Sequence, residues 1–437
     1  MKKWLVSFFL TLAAVLLLPS FSVNAEAASK KVEIFGNKIS SSAEKICFMG
    51  GKEGETITQI FESYVPDYSH YYYVDDDVVV DCAEIAEKLP NLKRLAIVIS
   101  DVKNLESLSK LKNLTKLELF VNTGTKDISF VKKLPNLKMF RYTDKKCTDI
   151  SPVKNLKKLT NLKLSVSTDI RDTNVLKNLT KLETLEIDYG FKNLDSLSKL
   201  TKLKTLKVNS SSLRDVSKLA NLKNLTCLEI QGYTGYTMEG IGNISKLTKL
   251  EELVLHSVRC NSDDFAEIKK LKNLKTLYAC YLRIRNIDDI IGEMTGLETL
   301  VLMDPYYFWG DCKFTKKLAN LKELVLFDCI YSLNGIGNLK KLEHLDVSYN
   351  NAKLNLNHIK GLKNLKYLNI CNNSVSDISM LGSLSKLETL HSWDTNITDY
   401  SVILKLKKLT RLLANSEIEG KLLEKFMKTN PDCVILY

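Results

Sequence analysis

A nine-residue phrase, L-x-x-L-x-x-L-x-(L/I/V), recurs fifteen times in this chain, ten times in full and five times with one or two of its apolar positions substituted. Its first copy runs from Leu89 to Ile97, and its last, Leu406 to Ala414, ends on a smaller residue. The second leucine of each phrase marks position 1 of a repeat: Leu92, Leu114, Leu137, Leu159, Leu182, Leu203, Leu225, Leu250, Leu274, Leu297, Leu321, Leu342, Leu365, Leu387 and Leu409. No step between these markers is shorter than 21 or longer than 25 residues. Self-similarity at such a period predicts a solenoid of stacked supersecondary units. A stack has one core that grows with length, so 437 residues do not imply several globular domains.

Each phrase is readable as local structure. In Leu162-Lys163-Leu164 the leucines fall on one face of a strand and Lys163 on the other. One such strand per repeat predicts a long parallel sheet, with strands about 4.8 Å apart. After the strand, repeat three continues as Asp149-Ile150-Ser151-Pro152. Ser151 suits a helix N-cap and Pro152 a first helical position. The same device recurs at Asp127-Ile-Ser129, Asp215-Val-Ser217 and Asp377-Ile-Ser379. Each repeat therefore reads as strand, turn and one short helical turn.

The flanks differ from the array. Lys2 and Lys3 precede an apolar run from Trp4 to Leu18, and small residues follow. Residues 1–27 are expected to be a signal peptide, cleaved after Ala25 or Ala27. The run is too short to span a bilayer, so no stable membrane span is expected after cleavage. A secreted or loosely surface-associated product follows. Residues 28–88 form an N-terminal cap with degenerate repeats, opening on a hairpin around Gly36-Asn37. The array covers 89–417. Residues 418–437 form a C-terminal cap, a helix near Leu422–Phe426 and a final strand.

Ten cysteines in an exported chain raise the question of disulfides. Paired half-cystines need Cα atoms about 4.4–6.8 Å apart, which in a stack means one column in consecutive repeats. No two neighbouring repeats share a cysteine column, so free thiols are expected. The N-terminal pair Cys47 and Cys82 is the exception that spacing leaves open. The net charge of +12 gathers beside the marker leucines, at Lys112, Lys157, Lys158, Lys223, Lys272, Lys340, Lys341, Lys363, Lys407 and Lys408. Stacking turns these into a basic ridge along one edge, either a solvated edge or an attractor for an anionic envelope polymer.

The unit Leu-x-x-Leu-x-x-Leu-x-Leu followed by x-Asp-Ile-Ser-Pro resembles the 22-residue class of leucine-rich repeats, best over 147–164. Internalin-type bacterial surface proteins use this class. The resemblance implies an α/β leucine-rich-repeat solenoid with a parallel sheet on its concave face and short 3-10 or helical turns on its convex face. It also implies a protein-binding concave surface and, for internalins, host-cell adhesion. The class carries asparagine at position 9, where it bonds loop backbone in a ladder. Only Asn122, Asn350 and Asn373 keep that residue here.

The concave positions nominate a site. Position 5 of repeats two to seven alternates Glu118, Arg141, Lys163, Glu186, Lys207 and Glu229, which reads as solvated surface. Repeats eight to eleven instead hold Val254, Tyr278, Val301 and Val325 there, and His256, Cys280, Met303 and Phe327 at position 7. Tyr306 and Trp309 lie beside them. An exposed apolar and aromatic patch marks an interaction site, and a protein partner is expected for a monomeric scaffold. A second cluster, His344, Tyr367, His391 and Trp393, mixes rings and polar groups in a way that suits a glycan. Nothing points to nucleic acid, a metal or a cofactor. The five histidines lie in no catalytic motif, and no nucleophile elbow or phosphate loop is present, so no enzyme is expected.

Overall fold

The computed structural model describes residues 31–50, 71–75, 78–125, 128–166, 172–188, 194–233, 235–305, 310–414 and 418–437. Eighteen strands form one long sheet. Every strand-to-strand register within it is parallel, with one strand per repeat from Arg94–Val98 to Arg411–Leu413. This is the expected leucine-rich-repeat solenoid.

The alternation of each phrase produces the register. Repeat seven shows it: Leu228 and Ile230 are fully buried, while Cys227, Glu229 and Gln231 are half-buried on the other face. Leu228 faces Leu206 and Leu253 in the adjoining strands, and all three are in the core. Leucine columns thus stack on themselves through the array. The backbone is closed just as regularly. The amides of Thr226 and Cys227 both donate to the Lys204 carbonyl, at 2.8 and 3.1 Å. Equivalent pairs recur from repeat to repeat, as at Lys138 and Met139 on Thr115.

The convex side is built mainly of 3-10 turns such as Ser151–Asn155 and Ser217–Asn221. Their start is not capped as the sequence suggests. The serine hydroxyl makes no cap bond; instead the aspartate two residues earlier accepts the serine amide. Asp149 does this for Ser151 at 2.8 Å, Asp215 for Ser217 at 2.7 Å and Asp377 for Ser379 at 2.8 Å. The Asx-type bond wins because a 3-10 turn is too tight for its own first residue to reach forward. Asp127 lies outside the described residues.

A one-residue phase shift divides the array. In repeats two, three, four and six, position 8 points inward: Val121, Asp144, Val166 and Ser210 are buried. In repeats eight to fourteen, position 8 is left-handed, at Ser257, Tyr281, Asp304, Asp328, Tyr349, Asn372 and Asp394, with φ between 42 and 60°. That conformation turns the chain one residue earlier and sends position 9 inward instead. Val258, Leu282, Cys329, Asn350, Asn373 and Thr395 are accordingly buried. Asn350 accepts the amides of Cys329 and Ile330, both at 2.8 Å, and donates to Leu326, Val347 and Ser348 carbonyls. Asn122 sits before the shift and is exposed, so it is not part of such a ladder, contrary to its sequence register.

A different ladder runs along the edge where the chain enters each strand. Asn136, Asn224, Asn273, Asn320 and Asn364 donate to carbonyls of the preceding repeat at 2.8–3.1 Å. Lysines of the following repeat donate to four of the same amide oxygens: Lys158, Lys249, Lys341 and Lys386, at 2.7–2.8 Å. Lys112, Lys223 and Lys363 donate to backbone carbonyls. The basic ridge is therefore largely a stitching device between repeats.

The caps close the stack. The first hairpin pairs Lys31–Ile34 with Asn37–Ser40. Its turn is centred on Phe35-Gly36, φ 48 and 76°, one residue earlier than expected. Paired positive φ values match the twist of a two-residue hairpin. Two further cap strands do not stack in chain order: Lys45–Gly50 lies between Tyr71–Val74 and the first array strand. At the other end, helix Gly420–Met427 buries Phe426, and Val434–Leu436 pairs with the last array strand. All ten cysteines are free, including Cys47 and Cys82. The expected signal peptide lies outside the described residues. Among those described, no helix is long and apolar enough to cross a membrane.

Leu228 lies mid-array with a leucine above and below, so a cavity there has no solvent edge into which to collapse. Leu228→Ala should cost about 2–5 kcal/mol, read as a lower urea midpoint. An unchanged midpoint would contradict this assignment of the core column.

Candidate binding surface

The face of the sheet opposite the core is the surface available for binding, and it changes character along the array. In repeats two to seven the alternating charges at position 5 are cross-strand ion pairs. Arg141 meets Glu118 at 3.1 Å, Lys163 meets Glu186 at 2.8 Å, and Lys207 meets Glu229 at 3.1 Å. The expected solvated face is only partly so. Glu118 is 0% exposed and also meets Lys116 at 3.0 Å. Burying that carboxylate requires both cations.

Among the described residues, repeats eight to eleven carry no such pairs at positions 5 and 7 of this face. Val254, Tyr278, Val301 and Val325 stand in register at position 5, and His256, Cys280, Met303 and Phe327 at position 7. They were expected to be exposed. Val254, Cys280 and Val301 are in fact 8, 4 and 6% exposed, because flanking aromatic and long side chains close over these short ones. Tyr278, Met303, Val325, Phe327 and His256 remain half-buried. The accessible part of the patch is thus its rings, Met303 and Val325. Tyr306 and Trp309 lie outside the described residues.

The phase shift adds rings that column reading missed. Left-handed Tyr281 turns its ring against His256 of the repeat before, centroids 5.1 Å apart. Left-handed Tyr349 stacks on Phe327 at 4.8 Å in the same way. Bulky residues hold φ near +55° at a cost of order 1–3 kcal/mol. A sequence signal exists, since both tyrosines fall at position 8, a column that the strand alternation leaves unassigned. Four rings therefore flank the valine strip in two pairs, one at each end. Burial pushes the Tyr278 phenol up to about 12, and the fields of Glu323 and Glu252 add to the effect.

The second cluster is assembled too. His344 stacks on Tyr367, centroids 4.0 Å apart and 6° from parallel. Tyr367 meets His391 edge-on at 5.3 Å, with a 3.2 Å hydrogen bond between its hydroxyl and Nδ1. These rings spend much of their surface on one another. Trp393, 46% exposed, is the one that faces solvent most. Below them Asp346 is buried, bonded to Ser348 and Asn369, and burial raises its pKa against those bonds.

An unpredicted apolar cluster occupies the same face at the N-terminal end. Cys47, Met49, Ala96 and Val98 are buried there, separate from the main core, with Tyr71, Tyr73 and Phe120 packed against them. No group of three or more potential metal-ligating side chains converges among the described residues.

No protein-family model matches the chain. Among solved structures it is similar to a leucine-rich-repeat protein of Leptospira interrogans, with 23% identity and a TM-score of 0.59 over 80% of this chain and 91% of that one. It is similar also to the functional domain of InlJ from Listeria monocytogenes, with 20% identity and a TM-score of 0.50 over 75% of this chain and 69% of that one. The internalin InlF of the same organism aligns at 23% identity and a TM-score of 0.49, over 79 and 87% of the two chains. The first two likenesses establish the leucine-rich-repeat fold. The InlJ domain includes a cysteine ladder; the free cysteines here occupy different columns in neighbouring repeats.

The second cluster has a pH signature. Burial, with His391 adding to it, holds the His344 imidazole down at about 4 from its ordinary 6.5. The unfolded chain binds more protons between those values, so stability falls as pH drops from 6.5 towards 4. The full window is worth at most about 3 kcal/mol. His344→Phe, which keeps a ring against Tyr367, should lose less stability than wild type between pH 7 and 4.5 in urea titrations. Parallel curves for the two proteins would show that His344 is not the source.

Proposed function

We propose that this chain is an extracellular, non-enzymatic scaffold that binds a protein partner on the concave face of repeats eight to eleven. The observation that carries the reading is the break in surface chemistry. A sheet face neutralised by ion pairs through repeat seven becomes a valine strip framed by half-buried rings. Stacked repeats supply an extended surface suited to such recognition. Aromatic residues beside a dry apolar strip are the usual hot spots of an interface. Secretion is part of the proposal, resting on the lysine-led apolar run and small residues of 1–27.

A second reading, a glycan or cell-envelope binder, is favoured by the exposure of Trp393 beside Tyr367 and His391. The ridge lysines support it less, since most donate to backbone or asparagine oxygens of neighbouring repeats.

The two readings separate by experiment. Immobilised protein would be exposed to host-surface and bacterial-envelope fractions, with Tyr278→Ala/Phe327→Ala alongside. The double variant removes no charge and no residue of the leucine core, so the fold should persist, with a lower melting temperature from loss of the Phe327–Tyr349 stack. Capture of the partner should fall at least thirtyfold, about 2 kcal/mol or more. Undiminished capture would remove these residues from the interface. For the second reading, Trp393→Ala should abolish retention on purified envelope polysaccharide, and equal retention would set that site aside.

A further inference from the structure

The proposed concave interface has a charge bias that runs against the rest of the molecule. Positions 3, 5, 7 and 8 of repeats eight to fourteen comprise twenty-eight residues, and none is lysine or arginine. Lysine and arginine make up 63 of 437 residues, so about four would be expected there. Six of the twenty-eight are acidic: Glu252, Asp304, Glu323, Asp328, Asp346 and Asp394. Positions 3, 5 and 7 of repeats two to seven hold four basic and four acidic residues. The chain as a whole is +12, yet this stretch of its concave face carries only negative formal charge.

The geometry arranges that charge around the apolar strip. On one side, position 3 runs Glu252, Thr276, Thr299, Glu323 in cross-strand register. Tyr278 leans within the field of both glutamates. Glu323 receives only the Thr299 hydroxyl at 3.4 Å, and burial raises its pKa. On the other side, position 8 runs Tyr281, Asp304, Asp328, Tyr349, with the two tyrosine rings anchored on His256 and Phe327. Glu252, Glu323 and Asp328 form no ion pair among the described residues. Lys275 and Lys322, next in sequence to Thr276 and Glu323, are held at the strand-entry edge by Glu251 and Glu298, at 3.1 and 2.6 Å. Arg259 and Arg283 lie at position 10, beyond the rail.

We infer that this face accepts a basic polypeptide segment, its apolar side chains on Met303, Val325 and the half-buried rings beside them and its lysine or arginine side chains on the two flanking rails. The inference rests on the scaffold reading above and specifies the partner's chemistry. A half-buried carboxylate without a cation gains a charge-assisted hydrogen bond when one arrives. The faces of Tyr281 and Tyr349 add cation–π attraction. Met303, Val325 and the half-buried rings of Tyr278 and Phe327 supply apolar area between the rails.

The test uses the full chain and three fluorescein-labelled twelve-residue probes of alternating leucine with lysine, glutamine or glutamate, read by fluorescence anisotropy. The leucine–lysine probe should bind, at least tenfold more weakly at 500 than at 50 mM salt, and the leucine–glutamate probe should not. Glu252→Gln/Glu323→Gln/Asp328→Asn should weaken the lysine probe at least tenfold. Glu87→Gln/Glu106→Gln/Glu424→Gln, which removes equal charge from exposed positions elsewhere, should change it less than twofold. Equal losses in both variants, or equal binding of the lysine and glutamine probes, would overturn the charge inference. So would sedimentation showing that the probe acts only by dissociating a dimer formed through this face, because the occupant would then be a second copy. Either failure leaves the scaffold reading intact if Tyr278→Ala/Phe327→Ala still loses the natural partner.

Discussion

No single repeat here can bury its own leucines. Leu228 is fully enclosed only because Leu206 and Leu253 lie against it in the adjoining strands, and the same holds along the column. Cooperation between neighbours is therefore the condition for every other feature. It holds the strands in one register, and it makes the column number of a residue almost equivalent to its direction. It also requires that backbone groups leaving each strand find partners in the next repeat, since stacking removes them from water.

That second requirement is met in more than one way. Where a left-handed residue at position 8 sends position 9 inward, Asn350 and Asn373 bond loop backbone directly, and Val258 and Leu282 fill the same space with apolar volume. On the opposite edge, alternating asparagine and lysine side chains bind successive repeats. Lysines that look in sequence like a basic ridge for a polymer are largely engaged in this. The same phase shift places Tyr281 and Tyr349 over the concave rim. A device for closing loops thus also supplies the rings that frame the candidate interface.

Much of the candidate site was legible. The column spacing put Val254, Tyr278, Val301 and Val325 in one row and grouped His344, Tyr367 and His391, whose rings meet through Tyr367. Depth was not legible. Val254, Cys280 and Val301 are buried on a face where position alone predicts exposure, because larger neighbours close over short side chains. Position 9 was not legible either: a one-residue change of phase leaves the leucine spacing untouched, so Asn122 shares a column number with Asn350 but is exposed where Asn350 is buried. The Asp-x-Ser turns were legible as helix starts, but the cap was assigned to the serine where the aspartate makes the bond.

What the sequence determined by itself was periodic: the number of repeats, their parallel stacking, the leucine core and the free cysteines. Periodicity carries these because each depends on one residue meeting its own equivalent a fixed number of residues away. What only the tertiary structure decided was aperiodic. The shift at repeat eight, the pairing of Glu118 with two cations and the clasping of His256 and Phe327 by tyrosines all arise between unlike residues of adjacent repeats. Their energies depend on φ, burial and ring angle, none of which a one-dimensional pattern encodes.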